Sequence, residues 1–391
     1  MQKTGTILHI VRDRQPAERQ HAGKQRTAAI TIAATGRRLP TDRAAEDRKI
    51  MRMTMRITRK TTKIIMIENA PEGKPTGARR QIREQIRRTG RVIIPEGVRV
   101  IKTRAFHKCK ISAVKLPDSL VAIERSAFRG CCNLSEIDFG KGIKALGSYS
   151  AERIFANCNI QKLVLPPQIN SIGRAAFQDN RIQELVLPDS IKTINSEAFF
   201  NNPQLEEVTI PESVTKIKRS AFADARKVHI KKYIPDLELA ITESYIYSKV
   251  VIDTVTIETG GRELIIPKHP DAPIAMRSII QKFIENERYK APPTHDFARF
   301  AIEQQETALQ IFAKTKNENV KKYLKKNSIV ILKRLLAEGR NEEAVQMIED
   351  GLMSKMMLKE ILPEITEYPD VSAYVLMKLN EDGQAKQKFA I

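Results

Sequence analysis

Few residues in this 391-residue chain have types and spacings that could support catalysis or metal binding. Its six histidines are spread over the whole length: His9, His21, His107, His229, His269 and His295. None belongs to an HExxH motif and the four cysteines form no CxxC, so these zinc-binding patterns are missing. The sequence also lacks GxGxxG, the phosphate-binding P-loop and the GxSxG nucleophile motif.

Two pairs of closely spaced residues could have either a catalytic or a structural role. His107 lies two residues before Cys109, but Cys109 occupies the ladder position of a small residue that recurs after each phenylalanine, which favours a packed thiol over a thiol and base pair. Glu206 and Glu207 are adjacent carboxylates at exposed strand positions, which is typical of surface charge. We therefore expect no enzyme activity, no cofactor and no bound metal.

The dominant feature is one pattern repeated six times between residue 91 and about residue 225. Each copy has an apolar pair, a proline turn, a second apolar pair and then a phenylalanine, usually preceded by alanine. The prolines are Pro95, Pro117, Pro166, Pro188 and Pro211, with Gly140 in the missing place. The phenylalanines are Phe106, Phe128, Phe155, Phe177, Phe199 and Phe222. Their spacing of 22, 27, 22, 22 and 23 residues predicts a solenoid, in which each unit buries its apolar face against the next.

One unit illustrates how the pattern predicts structure. Val208 and Ile210 have strand spacing and point to one face, while Thr209 points to the other. Pro211 ends the strand because it has no N–H for the ladder. Phe222 then turns inward and fills the interior of the coil.

A small residue follows each phenylalanine at a spacing of three. These residues are Cys109, Cys131, Cys158, Asn180, Asn202 and Ala225. Cysteine and asparagine share a small side chain that can bond to the backbone beneath a turn, whereas asparagine cannot form a disulfide or a thiolate ligand. We therefore expect all four cysteines, including the neighbouring Cys132, to be free, reduced and buried.

These features together resemble the BspA-type, or Treponema-type, leucine-rich repeat. The resemblance is carried by the phrases LPDSLVAIERSAFRGC, LPPQINSIGRAAFQDN, LPDSIKTINSEAFFNN and IPESVTKIKRSAFAD and by the cysteine and asparagine ladder, and it covers about residues 92 to 225. It implies a leucine-rich-repeat β-solenoid of short parallel strands. It also implies a protein-binding module, since many members are surface proteins of bacteria that bind host proteins or partner cells.

The third unit departs from the pattern. It is about four residues longer, lacks the proline and carries Ser148-Tyr149-Ser150. An inserted loop of this kind is either a contact site or an insertion that the solenoid tolerates at small cost. Ala225, in place of cysteine or asparagine, marks the end of the repeat.

Charge divides the chain unevenly. Residues 1–90 hold 22 Lys+Arg against 8 Asp+Glu, so they carry a net charge of +14 out of the +21 of the whole chain. They contain no aromatic residue and cannot bury enough apolar surface to offset chain entropy, which predicts a disordered basic N-terminus. The stretch is a nucleic-acid-binding or lipid-binding tail, a solvated tail without a role, or the product of a mis-assigned start.

Targeting signals are missing from the sequence as written. The N-terminus MQKTGTILHIVRDRQ lacks the apolar run of a secretory signal, and no run of about 18 apolar residues would span a membrane. This favours a cytoplasmic protein. A mis-assigned start would instead allow a cell-surface or secreted protein whose signal peptide is lost.

Beyond the repeat the pattern changes twice. Residues 228–271 predict a β-rich cap and linker, with a hairpin turn at Gly260-Gly261 that closes the open edge of the solenoid. Residues 272–391 predict an all-α array of helical hairpins. Its helices are expected to start at Asn341, Ser354 and Asp370 and to stop before glycines such as Gly339, Gly351 and Gly383.

The outward positions of the first strand in each unit form the candidate protein-binding surface. These residues are Lys115, Glu136, Asp138, Gln161, Lys162, Gln183, Glu184, Glu206, Glu207 and Thr209. They include no aromatic anchor, which disfavours carbohydrate and single-stranded nucleic acid as ligands and leaves a protein bound over a wide surface.

The sequence thus predicts a non-catalytic binding protein, with residues 91–227 as the binding solenoid. One alternative is an intracellular scaffold that acts through the C-terminal helical array. Another is a nucleic-acid-associated protein that acts through the Arg-rich tail, residues 1–90.

Overall fold

The fold is taken from a computed structural model that describes residues 67–68, 76–147, 152–242 and 254–388. All of them belong to one compact unit, Thr61–Ile391. Two predictions fall outside the described residues: the disorder of the chain before residue 67, and the contact role of the Ser148-Tyr149-Ser150 insertion.

Residues 91–230 form a β-solenoid of about six turns, as the repeat predicts. Strand β1 (Ile67–Glu68) precedes the solenoid and pairs antiparallel with β3. The strands of the solenoid in chain order are β2 (Arg91–Ile93), β3 (Val100–Ile101), β4 (Ala113–Lys115), β5 (Ala122–Ile123), β6 (Glu136–Asp138), β7 (Ala145–Leu146), β8 (Lys162–Val164), β9 (Ser171–Ile172), β10 (Glu184–Val186), β11 (Thr193–Ile194), β12 (Glu207–Ile210), β13 (Lys216–Ile217) and β14 (Lys227–Ile230). From β2 onward, each even-numbered strand precedes the turn of its coil, and the odd-numbered strand follows it.

The coils stack in register. The even-numbered strands pair in parallel in three groups, β2-β4-β6, β8-β10 and β12-β14, and in the first group Val92, Val114 and Ile137 lie side by side. The odd-numbered strands pair in parallel as β3-β5 and β7-β9-β11-β13 on another side of the coil. At the turn, the Pro166 carbonyl accepts a hydrogen bond from the Ile169 N–H at 3.1 Å, and Pro211 and Val214 repeat this bond. Proline fits here because it lacks the N–H that a continuing strand would need.

Phenylalanine side chains fill the centre of the solenoid. The rings of Phe106, Phe128, Phe155, Phe177, Phe199 and Phe222 are all fully buried. Successive ring centroids are 4.9 to 5.6 Å apart and the ring planes differ by 12° or less. Each coil contributes one ring, so the distance between rings follows the spacing of neighbouring strands, about 4.8 Å.

The segment around each phenylalanine forms a third ladder between coils. The Phe106 N–H donates to the Ala127 carbonyl at 2.7 Å, and the Phe177 N–H donates to the Ala198 carbonyl at 2.9 Å. The residue two before each phenylalanine has a left-handed backbone although none is glycine, for example Arg104 at φ 58°. This turn directs alternate N–H groups along the solenoid axis, and the hydrogen bonds to the next coil hold it in place.

Regular structure begins earlier in the chain than the sequence predicts. Residues Thr76–Thr89 form helix α1, so the boundary of disorder placed at residue 90 is wrong for them. Ile82 of this helix is 1% exposed and joins the solenoid core, and the Gln85 side chain accepts a hydrogen bond from the edge N–H of Ile93 at 3.0 Å. Helix α1 therefore covers the first coil. The sequence did not predict this helix, because its few apolar residues stand among many arginines.

A short helix and a β-hairpin cover the opposite end of the solenoid. Helix α2 (Leu237–Ile241) stacks on the last phenylalanine segment, where the Phe222 N–H donates to the Ala240 carbonyl at 2.9 Å. Strands β15 (Thr254–Thr259) and β16 (Arg262–Pro267) then form an antiparallel hairpin beside β14. Gly260 and Gly261 have φ of 55° and 74°, which a two-residue hairpin turn of this hand requires.

The C-terminal region is helical, as predicted. Its helices are α3 (Arg277–Glu285), α4 (Ala301–Thr315), α5 (Glu318–Lys326), α6 (Ser328–Ala337), α7 (Asn341–Glu349), α8 (Lys355–Ile361) and α9 (Pro369–Lys388). Helices α4 to α9 share a second core, which includes Leu324, Leu332 and Val375.

The helix ends correct some of the sequence predictions. Ser354 caps α8 through a hydrogen bond from the Met357 N–H at 3.3 Å, as expected. Asn341 is not a cap, since its side-chain oxygen is buried without a partner and Arg340 holds the cap position. Helix α9 begins at Pro369 and continues through Gly383, because a single glycine inside a helix costs only about 1 kcal/mol.

Removal of one ring from the phenylalanine stack should destabilise the fold strongly. We expect Phe177→Ala to lower the free energy of unfolding by about 3–5 kcal/mol, because the neighbouring coils cannot close the cavity. Gln161→Ala on the exposed strand surface should change it by less than about 0.5 kcal/mol. Urea titration of both variants tests this assignment of inward and outward positions. Equal losses of unfolding free energy in the two variants would contradict it.

Helix α1 should contribute to stability through its apolar contact. We expect Ile82→Ala to cost about 2–4 kcal/mol, because Ile82 is 1% exposed against the first coil. Arg87→Ala is the matched control on the solvent side of the same helix and should cost less than about 0.5 kcal/mol. Equal urea midpoints for Ile82→Ala and the unmodified chain would show that α1 does not cap the solenoid.

Candidate protein-binding face

The solvent side of strands β2, β4, β6, β8, β10, β12 and β14 forms one surface, here called the even-strand face. All ten predicted surface residues are exposed on or beside it: Lys115, Glu136, Asp138, Gln161, Lys162, Gln183, Glu184, Glu206, Glu207 and Thr209. Alternation along each strand produces this result, since the buried Val208 and Ile210 alternate with the exposed Glu207 and Thr209. The structure thus brings the predicted residues together on one side of the solenoid.

One outward position is covered by its neighbours. The Ala113 side chain points out of the sheet with Lys115 but is only 8% exposed. Arg91 and Glu136 lie on either side of Ala113 in the register, and their side chains meet at 2.5 Å. The small alanine leaves room for this ion pair between the first and third coils.

Charged pairs link neighbouring coils across the face. Lys115 lies 3.4 Å from Asp138, and Lys162 pairs with Glu184 on the next strand. All four side chains are more than half exposed, so these pairs contribute little to folding stability. Their value is in the fixed pattern of positive and negative charge that they present to a partner.

The middle of the face is apolar. Val164 and Val186 lie directly side by side on β8 and β10, and each is about half exposed, at 52% and 51%. Thr209 occupies the equivalent position on β12. The ten residues predicted from the sequence do not include these two valines.

The C-terminal end of the face carries a network of charged side chains that the repeat did not predict. His229 lies between Glu207, which contacts its Nε2, and Glu258, 3.4 Å from its Nδ1. Lys227 contacts Glu258 at 2.5 Å and Glu263 at 3.3 Å. The hydrogen bond from Lys227 lowers the pKa of Glu258, and the same bond raises the pKa of Lys227.

The helical array limits the face at this end. Ile265 on β16 has the outward register position, opposite Thr256, but it is only 5% exposed. It packs into the core of the array with Ile311 of α4. The Thr254 hydroxyl also donates to the Gln310 side chain of α4 at 2.6 Å. Helix α4 therefore covers the sheet at β16, while the coils before it remain open.

The cysteine and asparagine ladder has the predicted role. From the second coil onward, the cysteine or asparagine side chain bonds to the carbonyl of the phenylalanine in the preceding coil: the Cys131 thiol donates to Phe106 at 3.0 Å, and the Asn202 amide donates to Phe177 at 3.0 Å. Burial raises the pKa of the Cys158 thiol to about 12, so this group is a poor nucleophile. Among the described residues, no cluster of three His, Cys, Asp or Glu side chains could hold a metal ion.

Exposure of the cysteines differs from the prediction at two positions. All four are free, but Cys132 is exposed and Cys109 is partly exposed, whereas Cys131 and Cys158 are buried. Cys132 lies outside the ladder, because the adjacent Cys131 occupies the inward position. The expectation that all four thiols are shielded in the folded protein is therefore wrong.

Thiol labelling should distinguish the exposed cysteine from the buried ones. We expect Cys132 to react rapidly with a water-soluble disulfide reagent at pH 8, while Cys131 and Cys158 react only after unfolding because burial raises the pKa of both thiols. Cys132→Ser is the matched variant and should lack the rapid phase. Rapid labelling of Cys131 or Cys158 in the native protein, located by mass spectrometry, would contradict the ladder geometry.

No helix among the described residues is long and apolar enough to cross a membrane. Residues 87–153 and 151–263 match the model of the BspA-type leucine-rich repeat region, in six copies. No curated protein sequence matches the chain.

Several solved structures are similar to part of the chain. A leucine-rich repeat protein of T. pallidum is 23% identical, with a TM-score of 0.28, over 38% of this chain and 78% of that one. One from Eubacterium ventriosum is 19% identical, with a TM-score of 0.33, over 37% of this chain and 41% of that one. A leucine rich cell surface protein of Faecalibacterium prausnitzii is 18% identical, with a TM-score of 0.29, over 46% and 54%. The chain therefore spans less than two thirds of the latter two proteins.

Proposed function

We propose that the even-strand face binds another protein, because residues 87–153 and 151–263 match the model of the BspA-type leucine-rich repeat region. In this proposal the chain is a non-catalytic binding module, used for adhesion or for interaction with a host or partner cell. The ten exposed residues of the candidate surface supply the contacts, and no cofactor takes part.

The apolar centre of the face carries the proposal. Val164 and Val186 expose about half of their side chains side by side, while the positions around them are polar or charged. An apolar centre within a polar rim is the arrangement found at protein interfaces. Burial of both valines against a partner would remove apolar surface from water, and the rim would select which partner can approach.

The rigidity of the scaffold supports the same proposal. The even-numbered strands are held by the stacked rings beneath them and by the hydrogen bonds between coils. A surface formed before binding loses little conformational freedom when the partner arrives, which favours affinity over a broad and only modestly apolar area.

The helical array supports a second candidate function. It exposes large apolar side chains in its described part, among them Val330 at 61% and Met356 at 76%. These residues lie on α6 and α8, away from the solenoid core. An intracellular scaffold that binds through the array would use them, and charge substitution at Met356 would then abolish binding while substitution at Val186 would not.

Substitution at the centre of the face tests the main proposal. We expect Val186→Lys to reduce capture of a specific protein partner by about tenfold or more, because a charge would be buried at the centre of the interface. Val121→Lys is the matched control: Val121 is 55% exposed on the turn side of β5, and Val186 is 51% exposed. Both variants should keep the stability of the unmodified chain.

The measurement is quantitative mass spectrometry of proteins retained by each immobilised variant from the same extract. The proposal predicts a protein retained equally by the unmodified chain and Val121→Lys and lost with Val186→Lys. Identical sets of proteins on all three, or an equal loss with Val121→Lys, would contradict it.

A further inference from the structure

A cleft of about 400 Å³ lies at the junction between the capping hairpin and the helical array. It runs along the edge of β16 that β15 does not pair, and its other walls come from residues 289–293 and from α4. This volume is within the range of sites that hold small ligands, about 300–1,000 Å³. The cleft adjoins the C-terminal end of the even-strand face at Glu263, which lines the cleft and contacts Lys227 of that face.

Most of the cleft wall is apolar and fixed in position. Phe283 and Ile311 line the cleft and are 4% and 7% exposed. Tyr289 and Ala291, which are half-buried, face it from the segment that follows α3. Pro292-Pro293 complete the rim, and because proline fixes its backbone φ, the rim keeps its shape without a ligand. An apolar group would fit between these walls.

The charged residues of the cleft are mostly cations. Arg262, Lys290 and Lys314 line it together with a single carboxylate, Glu263. Lys314 is paired with Glu263, and Glu263 also contacts Lys227. The cleft therefore has an excess of positive charge next to apolar surface.

Arg262 keeps its charge available for a ligand. Its guanidinium donates to two backbone carbonyls, to Phe283 at 2.7 Å and to Asn286 at 3.3 Å, and it stacks over the Phe283 ring at 4.6 Å. These contacts hold the group in place but do not neutralise it, since carbonyls and rings have no net charge. A guanidinium has five N–H groups, so three remain for an anion.

We propose that this cleft binds an apolar group that carries a carboxylate. An inorganic anion would leave the apolar walls uncovered, and a neutral hydrophobic molecule would leave the cations without a partner. Arg262 and Lys290 would bind the carboxylate through charge-assisted hydrogen bonds, and the space beside Tyr289 would hold the apolar body. The same chemistry occurs in a free aromatic acid and at the carboxyl terminus of a peptide with an apolar last residue.

Calorimetric titration of the full chain with N-acetylphenylalanine tests the charge requirement. We expect saturable binding at one site, and at least about tenfold weaker binding of N-acetylphenylalanine amide, because the amide cannot form the charge-assisted bonds. Binding should weaken as salt is added. Equal affinity for the acid and the amide would overturn the proposal. So would binding of the acid that does not saturate at a concentration on the order of 10 mM.

Two variants locate the site. Lys290→Met should weaken binding of the acid by about fivefold to tenfold, whereas Lys282→Met, which removes an exposed lysine of α3 outside the cleft, should leave it unchanged. Ala291→Trp should fill the cleft and abolish binding without unfolding the chain, as circular dichroism would show. An equal effect of Lys282→Met, or unchanged binding to Ala291→Trp, would place the ligand elsewhere and refute the assignment.

A tetrapeptide Gly-Gly-Gly-Phe identifies the source of the carboxylate. Tighter binding of this peptide than of N-acetylphenylalanine would support a peptide terminus as the ligand, and binding of the free acid alone would support a small molecule. Its C-terminally amidated form is the control and should bind at least about tenfold more weakly.

Discussion

The stacking of one coil on the next is the interaction on which the rest of this structure depends. Each phenylalanine ring stacks on the ring of the next coil, and from Phe106 to Phe199 its N–H donates to the following coil. No coil can bury its apolar side alone, so strands of only two to four residues persist because their neighbours hold them. The even-strand face is the outer surface of that stack, and the positions of its side chains follow from the regular spacing inside.

A stack of this kind must be closed at both ends, because an open coil exposes apolar surface and unpaired strand edges. At one end α1 inserts Ile82 and uses Gln85 to bond the edge strand. At the other end the β15–β16 hairpin ends the parallel order with an antiparallel pair. The array then packs on Ile265, so the same residues that close the solenoid also form the wall of the cleft that contains Arg262.

Sequence periodicity was sufficient to predict the solenoid, the inward phenylalanines and the ten exposed positions, because these residues repeat with the coil. It was insufficient for α1, where two apolar positions, Ile82 and Ile86, stand within an Arg-rich stretch whose average composition indicates disorder. The burial of Ile265 did have a signal: the uninterrupted run Leu264-Ile265-Ile266 is typical of a strand covered on both faces. The cleft had none, since its walls come from segments far apart in the chain.

Amide hydrogen exchange at the six core phenylalanines tests the central claim most directly, that the coils form one cooperative stack closed at both ends. Each of these N–H groups donates to the next coil or, for Phe222, to α2. The account predicts exchange rates for Phe106 and Phe222 that are slow and within about tenfold of the rate for Phe177, because the caps prevent fraying. Exchange at either end that is faster by about a hundredfold or more would show that the coils open independently, and the even-strand face would then not be a preformed surface.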